Sequence, residues 1–139
     1  METVSMADIE LRFLQTPEST GGSLTMFEMH LRPGGLMPVP HHHRDWEETV
    51  YGLTGTTTWT VDGRMGQVGP GQTVHIPRGI IHGFTNDSDD TATCLCVLTP
   101  GVLAPAYFRE MADLVSGGKP DPVKLRDTML RHGLVPEKA

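Results

Sequence analysis

Apolar and polar residues alternate in short runs through most of the chain before Pro100. A period of two places alternate side chains on opposite faces of a β-strand. The runs predict strands at Leu24–Leu31, Glu47–Leu53, Thr56–Val61, Met65–Val68, Thr73–Ile76, His82–Phe84 and Thr91–Leu98. Between two of them Asp62-Gly63 suits the positive φ angles of a type I′ hairpin turn. Short strands at this spacing predict an all-β fold, an antiparallel sandwich or jelly roll.

The pattern changes after Pro100 to helical spacing. Ala104–Val115 places Tyr107, Phe108 and Met111 at intervals that suit one helix, ended by Gly117-Gly118. These three side chains either pack the helix on the sheets or form a lid over them. A second helix begins at Asp121-Pro122 and stops at Gly133. We therefore expect an N-terminal segment at 1–23, a barrel at 24–99 and a helical tail at 100–139 that packs on the barrel.

Composition narrows the possible partners. The chain has 139 residues, with 11 basic against 17 acidic side chains and a formal net charge of −6. That balance argues against a nucleic-acid partner, which needs clustered Lys and Arg. No stretch has the length and apolarity expected of a bilayer span or a signal peptide, so we expect no membrane partner and a cytoplasmic protein. The pair Cys94 and Cys96 is interpreted as two small buried hydrophobic residues in a reducing compartment.

A cluster of histidines carries the candidate chemistry. Residues two apart in an extended segment share a face, so His41 and His43 point together while His42 points away. Glu48 begins the following strand and supplies an oxygen ligand. Further along the chain, a turn at Pro77 and Gly79 delivers His82. Three imidazoles and one carboxylate suit one divalent ion such as Fe, Mn, Ni, Co or Zn, with positions open for water or substrate.

These stretches resemble the two motifs of the cupin superfamily. The first runs His41, His43, four residues to Glu48 and six more to Gly55. The second matches at every marked position: Gly71, Pro77, Gly79, His82 and Asn86. The tail with Pro120-Asp121-Pro122 is similar to that of bacterial quercetin-dioxygenase-like single-barrel cupins. The resemblance implies a jelly-roll β-barrel with the metal held by those four ligands.

The apolar neighbours of the ligands predict a substrate pocket. Phe84 shares parity with His82, and Val50 shares parity with Glu48, so both side chains face the interior and form a wall beside the metal. Trp46 and Trp59 either line the mouth or pack elsewhere, and the sequence does not decide.

Other polar residues leave alternatives open. His42 is interpreted as an outward residue, although an alternative register would bring it to the metal. His30 and His75 lie on strands and are interpreted as ordinary hydrogen-bonded histidines, with a place in the lumen as the alternative. For Glu28 we favour the solvent face over the pocket, because an unpaired buried carboxylate is costly.

The resemblance to quercetinase-like cupins implies several reaction classes. The leading hypothesis is a dioxygenase-type oxidoreductase acting on a small enol, phenol or β-dicarbonyl compound, with Glu48 as ligand or general base. The alternatives are a non-redox isomerase, cyclase or lyase using the same metal, and a binding module without catalysis. We also expect a homodimer that covers an apolar sheet face, in which Val4–Leu14 crosses to the partner.

Overall fold

Two antiparallel sheets enclose the hydrophobic core in the computed structural model, which describes residues 1–37 and 39–137. The first sheet has, in spatial order, β1 (Thr3–Met6), β2 (Ile9–Gln15), β3 (Thr25–Leu31), β10 (Ala92–Thr99), β5 (Glu47–Thr54) and β8 (Thr73–Ile76). The second has β11 (Leu134–Pro136), β4 (His41–His43), β9 (His82–Thr85), β6 (Thr57–Val61) and β7 (Arg64–Val68). The helices are α1 (Pro105–Ser116) and α2 (Pro122–Arg131). The predicted all-β jelly-roll barrel with two short helices is confirmed.

Strict alternation gives the central strands one buried face. Along β3 the inward positions are buried and the outward ones, including Glu28 and His30, are partly exposed. β10 follows the same pattern, with Cys94 and Cys96 turned inward. Because apolar side chains occupy the inward positions of both strands, burial fixes their register: a one-residue slip would expose the whole set.

The hairpin between β6 and β7 has the expected turn. Asp62 and Gly63 both have positive φ angles, 54° and 75°, between the paired residues Val61 and Arg64. Such angles at both central positions define a type I′ turn, whose twist matches that of the strands.

The N-terminal segment adds two strands that the pattern analysis did not assign. β1 pairs with β2, and β2 pairs with β3 of the same chain. Ile9, Leu11 and Phe13 provide the buried face, while Glu10 and Arg12 lie outside and form an ion pair. Exchange of this segment with a partner stays a prediction.

The C-terminal tail returns to the barrel. The Asp121 carboxylate caps α2 by accepting a hydrogen bond from the Val123 amide at 2.9 Å. α1 packs against β1, and α2 packs against α1 and β11. β11, which the sequence did not predict, then pairs with β4. None of the helices in the described ranges is long and apolar enough to cross a bilayer.

Candidate metal centre

Strand pairing brings the three predicted histidine ligands together. His41 and His43 lie on the buried side of β4 and are only 5% and 4% exposed, while His42 between them is half-buried. β4 pairs with β9 through His41 opposite His82, which is also fully buried. The chain therefore folds so that three imidazoles share one enclosed space.

The distances within this histidine cluster suit ligands of a single ion. One nitrogen from each of the three rings lies within 4.8 Å of the others. The Nε2 atoms of His41 and His43 are 3.1 Å apart. Two nitrogens each about 2.1 Å from one ion, at a right angle, would be separated by about 3 Å. The spacing therefore fits two neighbouring coordination positions.

Backbone carbonyls orient two of the rings. His41 Nδ1 lies 2.9 Å from the Val39 oxygen, and His82 Nδ1 lies 3.1 Å from the Ile80 oxygen. Because a carbonyl oxygen only accepts, both Nδ1 atoms carry the proton and both Nε2 atoms present a lone pair. Metal-binding histidines commonly hold their orientation through such a second hydrogen bond.

Unpaired nitrogens provide an independent test of the metal hypothesis. Within the described part of the chain, His82 Nε2 and His43 Nδ1 are buried and have no hydrogen-bond partner. Buried polar atoms without a partner are rare because each costs roughly 1–3 kcal/mol. A bound ion would offset this cost at His82 Nε2, so the donor set fits a divalent metal.

An indole supports the third ring. Trp46 is fully buried and stacks on His43, with ring centroids 4.8 Å apart and an angle of 23° between the planes. Gly133 lies close to the six-membered ring of this indole, because a Cβ at Gly133 would be 2.9 Å from Trp46 Cζ3. The sequence left open whether Trp46 lines the mouth of the pocket or packs elsewhere. The structure shows that it packs in the core against His43, a candidate ligand.

Glu48 lies beside the histidine cluster but is not part of it. Its Oε1 is 4.0 Å from His43 Nδ1, longer than a hydrogen bond. Burial raises the pKa of the Glu48 carboxyl to about 7, and a hydrogen bond with the Cys96 thiol opposes part of the rise. The sequence predicted the inward direction of Cys96 but gave no sign of this contact, because the register between β5 and β10 was unknown.

The electrostatics keep the imidazoles uncharged. Burial, followed by repulsion from His82, lowers the pKa of His41 to about 3 and holds that of His43 far below its usual range. Burial also lowers the pKa of His82. Metal ions bind the deprotonated form of a ligand, so these rings are ready to bind at neutral pH without releasing a proton.

A cavity of about 90 Å³ opens onto the cluster. Its polar end carries His41, His43 and Glu48, and its apolar wall includes Met6, Phe27, Met29, Met37, Trp59, Phe84, Leu103, Tyr107, Phe108 and Met111. His82 belongs to the cluster without lining this cavity. Among the lining residues in the described ranges there is no Arg or Lys. The space therefore suits an apolar molecule with a metal-binding end.

The two predicted pocket residues lie in different places. Phe84 lines the cavity and packs on Trp59 with centroids 5.0 Å apart. Val50 points inward as its parity requires, but it is fully enclosed in the core and does not line this cavity. The predicted wall therefore consists of Phe84 without Val50, because alternation determines a side chain's direction and not its neighbours.

The remaining histidines on strands lie outside the cluster. His30 lies on the outer face of β3, 3.2 Å from the Glu28 carboxylate. His75 lies on the outer face of β8, and its Nδ1 is 2.9 Å from the Thr49 hydroxyl. Neither they nor His42 is within the ligand group found among the described residues.

Comparison with known proteins identifies the family. The sequence profile of the cupin domain matches residues 27–98, more than half of the chain. The chain belongs to the cupin domain family. The match runs from within β3 to within β10 and includes every member of the histidine cluster and Glu48.

Individual relatives of this cupin differ in their described activities. Over 85 residues the chain is 36% identical to quercetin 2,3-dioxygenase of Bacillus subtilis; the match spans 61% of this chain and 25% of that protein. A sugar phosphate isomerase of the cupin superfamily from Silicibacter pomeroyi has 26% identity and a TM-score of 0.59, over 68% of this chain and 60% of the other. A predicted oxalate decarboxylase from Thermotoga maritima has 22% identity and a TM-score of 0.65, over 71% of this chain and 90% of the other. The last supports the fold alone.

Proposed function

We propose that this cupin binds one divalent transition-metal ion through His41, His43, His82 and Glu48 and oxidises a small organic molecule in a dioxygenase-type reaction. The observation that carries the proposal is the histidine cluster, with His41 and His43 at the polar end of an otherwise apolar cavity and Glu48 beside them. The partial similarity to a quercetin dioxygenase supports the same reaction class. The substrate class is a small enol, phenol or β-dicarbonyl compound.

Each group of side chains has a different role in the proposed reaction. The three imidazoles hold the ion, which would lower the pKa of a bound hydroxyl group and polarise it. Glu48 would either stay a ligand or leave the ion, and in the second case its Oε1 would accept the proton that the substrate hydroxyl loses. Burial raises the pKa of this carboxyl to about 7 in the metal-free site. Phe84 and Trp59 exclude water and hold the apolar part of the substrate.

The polarity of the cavity favours uncharged substrates. Phosphate and dicarboxylate groups are usually recognised by Arg or Lys. Because the described cavity wall offers neither, an enol or phenol that becomes an anion only at the metal fits better.

Oxygen uptake tests the proposal directly. Protein loaded separately with Fe, Mn, Ni or Co should consume oxygen with at least one member of a panel of β-diketones, catechols and flavonols. His82→Ala should abolish this uptake, while His75→Ala, which removes an exposed histidine on the outer face, should leave it unchanged. Uptake by no loaded form, or equal uptake by His82→Ala, would contradict the reaction class.

A second candidate is Lewis-acid chemistry at the same metal without oxygen. It is favoured by the 26% identity to a sugar phosphate isomerase. It requires turnover under strict anaerobiosis and activity with Zn. Ligand-induced stabilisation without product from any substrate, aerobic or anaerobic, would instead indicate a binding module.

A further inference from the structure

The cavity is closed on one side by a helix rather than by the barrel. Tyr107, Phe108 and Met111 of α1 line it; Tyr107 and Met111 are each 4% exposed, and Phe108 is half-buried. Phe108 packs on Phe27 of the barrel with ring centroids 5.6 Å apart. These contacts place one face of α1 directly against the space that a substrate would occupy.

In the described part of the chain, the ion pairs of α1 lie at its outer surface. Arg109 pairs with Glu2 of the N-terminal segment, and Glu110 pairs with Arg131 at 2.9 Å and with His132. Ion pairs at the surface contribute little to stability, because water and salt screen them. The position of α1 therefore depends mainly on the apolar contacts of its inner face.

The cavity is small for a substrate. Its volume of about 90 Å³ is below the roughly 150 Å³ of an engineered apolar cavity that holds benzene, and far below the roughly 300–1,000 Å³ of sites for drug-sized ligands. A ligand larger than one ring therefore enters only if part of the wall moves.

The side chains nearest to this space are adaptable. Met6, Met29, Met37 and Met111 line it, which is half of the 8 methionines in the chain. Methionine has three rotatable side-chain bonds and fills irregular gaps without a fixed shape. Met111 is the one of these four that lies on α1, so a flexible side chain forms the part of the cavity wall that this helix provides.

We propose that the face of α1 formed by Tyr107, Phe108 and Met111 determines substrate specificity: it admits uncharged, apolar chelating molecules of one ring or less and excludes larger ones. This inference rests on the proposed function, because it concerns the substrate of that same metal site. Met111 sets the size limit, and its truncation extends the range of ligands.

Titration of the Co(II)-loaded protein with β-diketones of increasing size tests this assignment. Visible absorption of the metal should show that acetylacetone binds at least about tenfold more tightly than dibenzoylmethane. Met111→Ala should remove most of that difference while changing acetylacetone affinity less than about twofold. Met65→Ala, which truncates an exposed methionine on β7 away from the cavity, is the matched control and should behave as the parent protein.

A second measurement needs neither metal nor a chelating ligand. Metal-free Met111→Ala should show a larger rise in Tm with benzene than the parent protein and Met65→Ala do, because truncation enlarges the cavity. If Co(II) binds but no diketone does, the proposed substrate class fails and the benzene arm still decides the size limit. If Met111→Ala does not fold, Phe108→Leu replaces it in both arms. A truncated variant that matches Met65→Ala in both arms would overturn the inference.

Discussion

At the scale of single residues, each imidazole of the cluster is oriented by a different neighbour. Carbonyl oxygens of Val39 and Ile80 orient His41 and His82, and the indole of Trp46 supports His43. Such supporting contacts commonly change metal affinity by about 10- to 100-fold when they are lost. The positions of the donors are therefore set by parts of the chain that are not ligands themselves.

The pKa of Glu48 predicts a proton balance for metal binding. Among the four proposed donors, Glu48 is the one that must lose a proton to bind metal near neutral pH, because the imidazoles are already neutral. Binding should release about one proton at pH 6, about half a proton at pH 7 and nearly none at pH 8. Affinity should therefore rise with pH up to about pH 7 and level off above it. Calorimetry in buffers of different ionisation enthalpy measures the release.

Two variants separate Glu48 from its neighbours in that measurement. Glu48→Gln should release nearly no protons at any of the three pH values. Glu47→Gln, an adjacent change on the outer face of β5, should leave the release unchanged. Equal proton release by Glu48→Gln and the parent protein would show that Glu48 does not bind the metal.

The candidate ligand residues could be predicted from the sequence, but their environment could not. Alternation alone turns His41 and His43 to one side, and the spacing of the second motif points to His82. Enclosure raises the pKa of Glu48, and a hydrogen bond with Cys96 in β10, nearly fifty positions away, opposes part of the rise. That contact requires the register of two strands, which no local pattern encodes.

At the scale of elements, β4 pairs with a strand from the C-terminal tail. It is only three residues long, and it pairs with β11 from the C-terminus as well as with β9. The turn into β11 passes through Gly133, whose φ of 89° suits glycine. The tail therefore helps to hold two of the candidate ligands in place.

This arrangement predicts the effect of Gly133→Ala. The new Cβ would be strained at positive φ and would lie 2.9 Å from the Trp46 ring. The free energy of unfolding should fall by about 2–4 kcal/mol, the backbone strain and overpacking together, and metal affinity should fall about tenfold or more as His43 shifts. Urea unfolding and metal titration measure the two effects.

Gly118→Ala is the matched control for backbone strain. Gly118 also has a positive φ, 102°, but a Cβ there meets no atom within 4 Å. The free energy of unfolding of Gly118→Ala should fall by only about 1–2 kcal/mol, and its metal affinity should stay unchanged. If Gly133→Ala and Gly118→Ala have equal metal affinity, the tail does not position His43.

Short elements were the hardest to predict. Three-residue strands such as β11 carry too few positions for a periodic signal, and they exist because a partner strand is available. β1 and β2 alternate as the assigned strands do, with Glu10 and Arg12 between the buried Ile9, Leu11 and Phe13, so the signal for β2 was present in the sequence. The longer strands and both helices, by contrast, follow from alternation, turn residues and caps.

At the scale of the whole molecule, the outer face of the six-stranded sheet carries partly exposed apolar side chains. Leu95 and Val97 of β10 lie next to Tyr51 of β5 and Met26 of β3, and all four turn away from the core. We propose that a second copy of the chain covers this apolar face in a homodimer.

A charge in this face should prevent dimer formation. Leu95→Asp would bury a carboxylate in each half of the interface and should shift the protein to monomer at micromolar concentration. Thr60→Asp, on an exposed position of β6 in the other sheet, should remain dimeric. Sedimentation or light scattering distinguishes the two states. A monomeric parent protein would contradict the proposed dimer.

Elemental analysis of untagged protein tests whether the four donors hold one metal ion. The parent protein, reconstituted with Fe, Mn, Ni, Co or Zn and then dialysed, should retain about one equivalent of at least one of these ions per chain. His82→Ala should retain almost none, while His75→Ala should match the parent. Absence of metal from the parent protein after reconstitution, or equal metal in His82→Ala, would contradict the account.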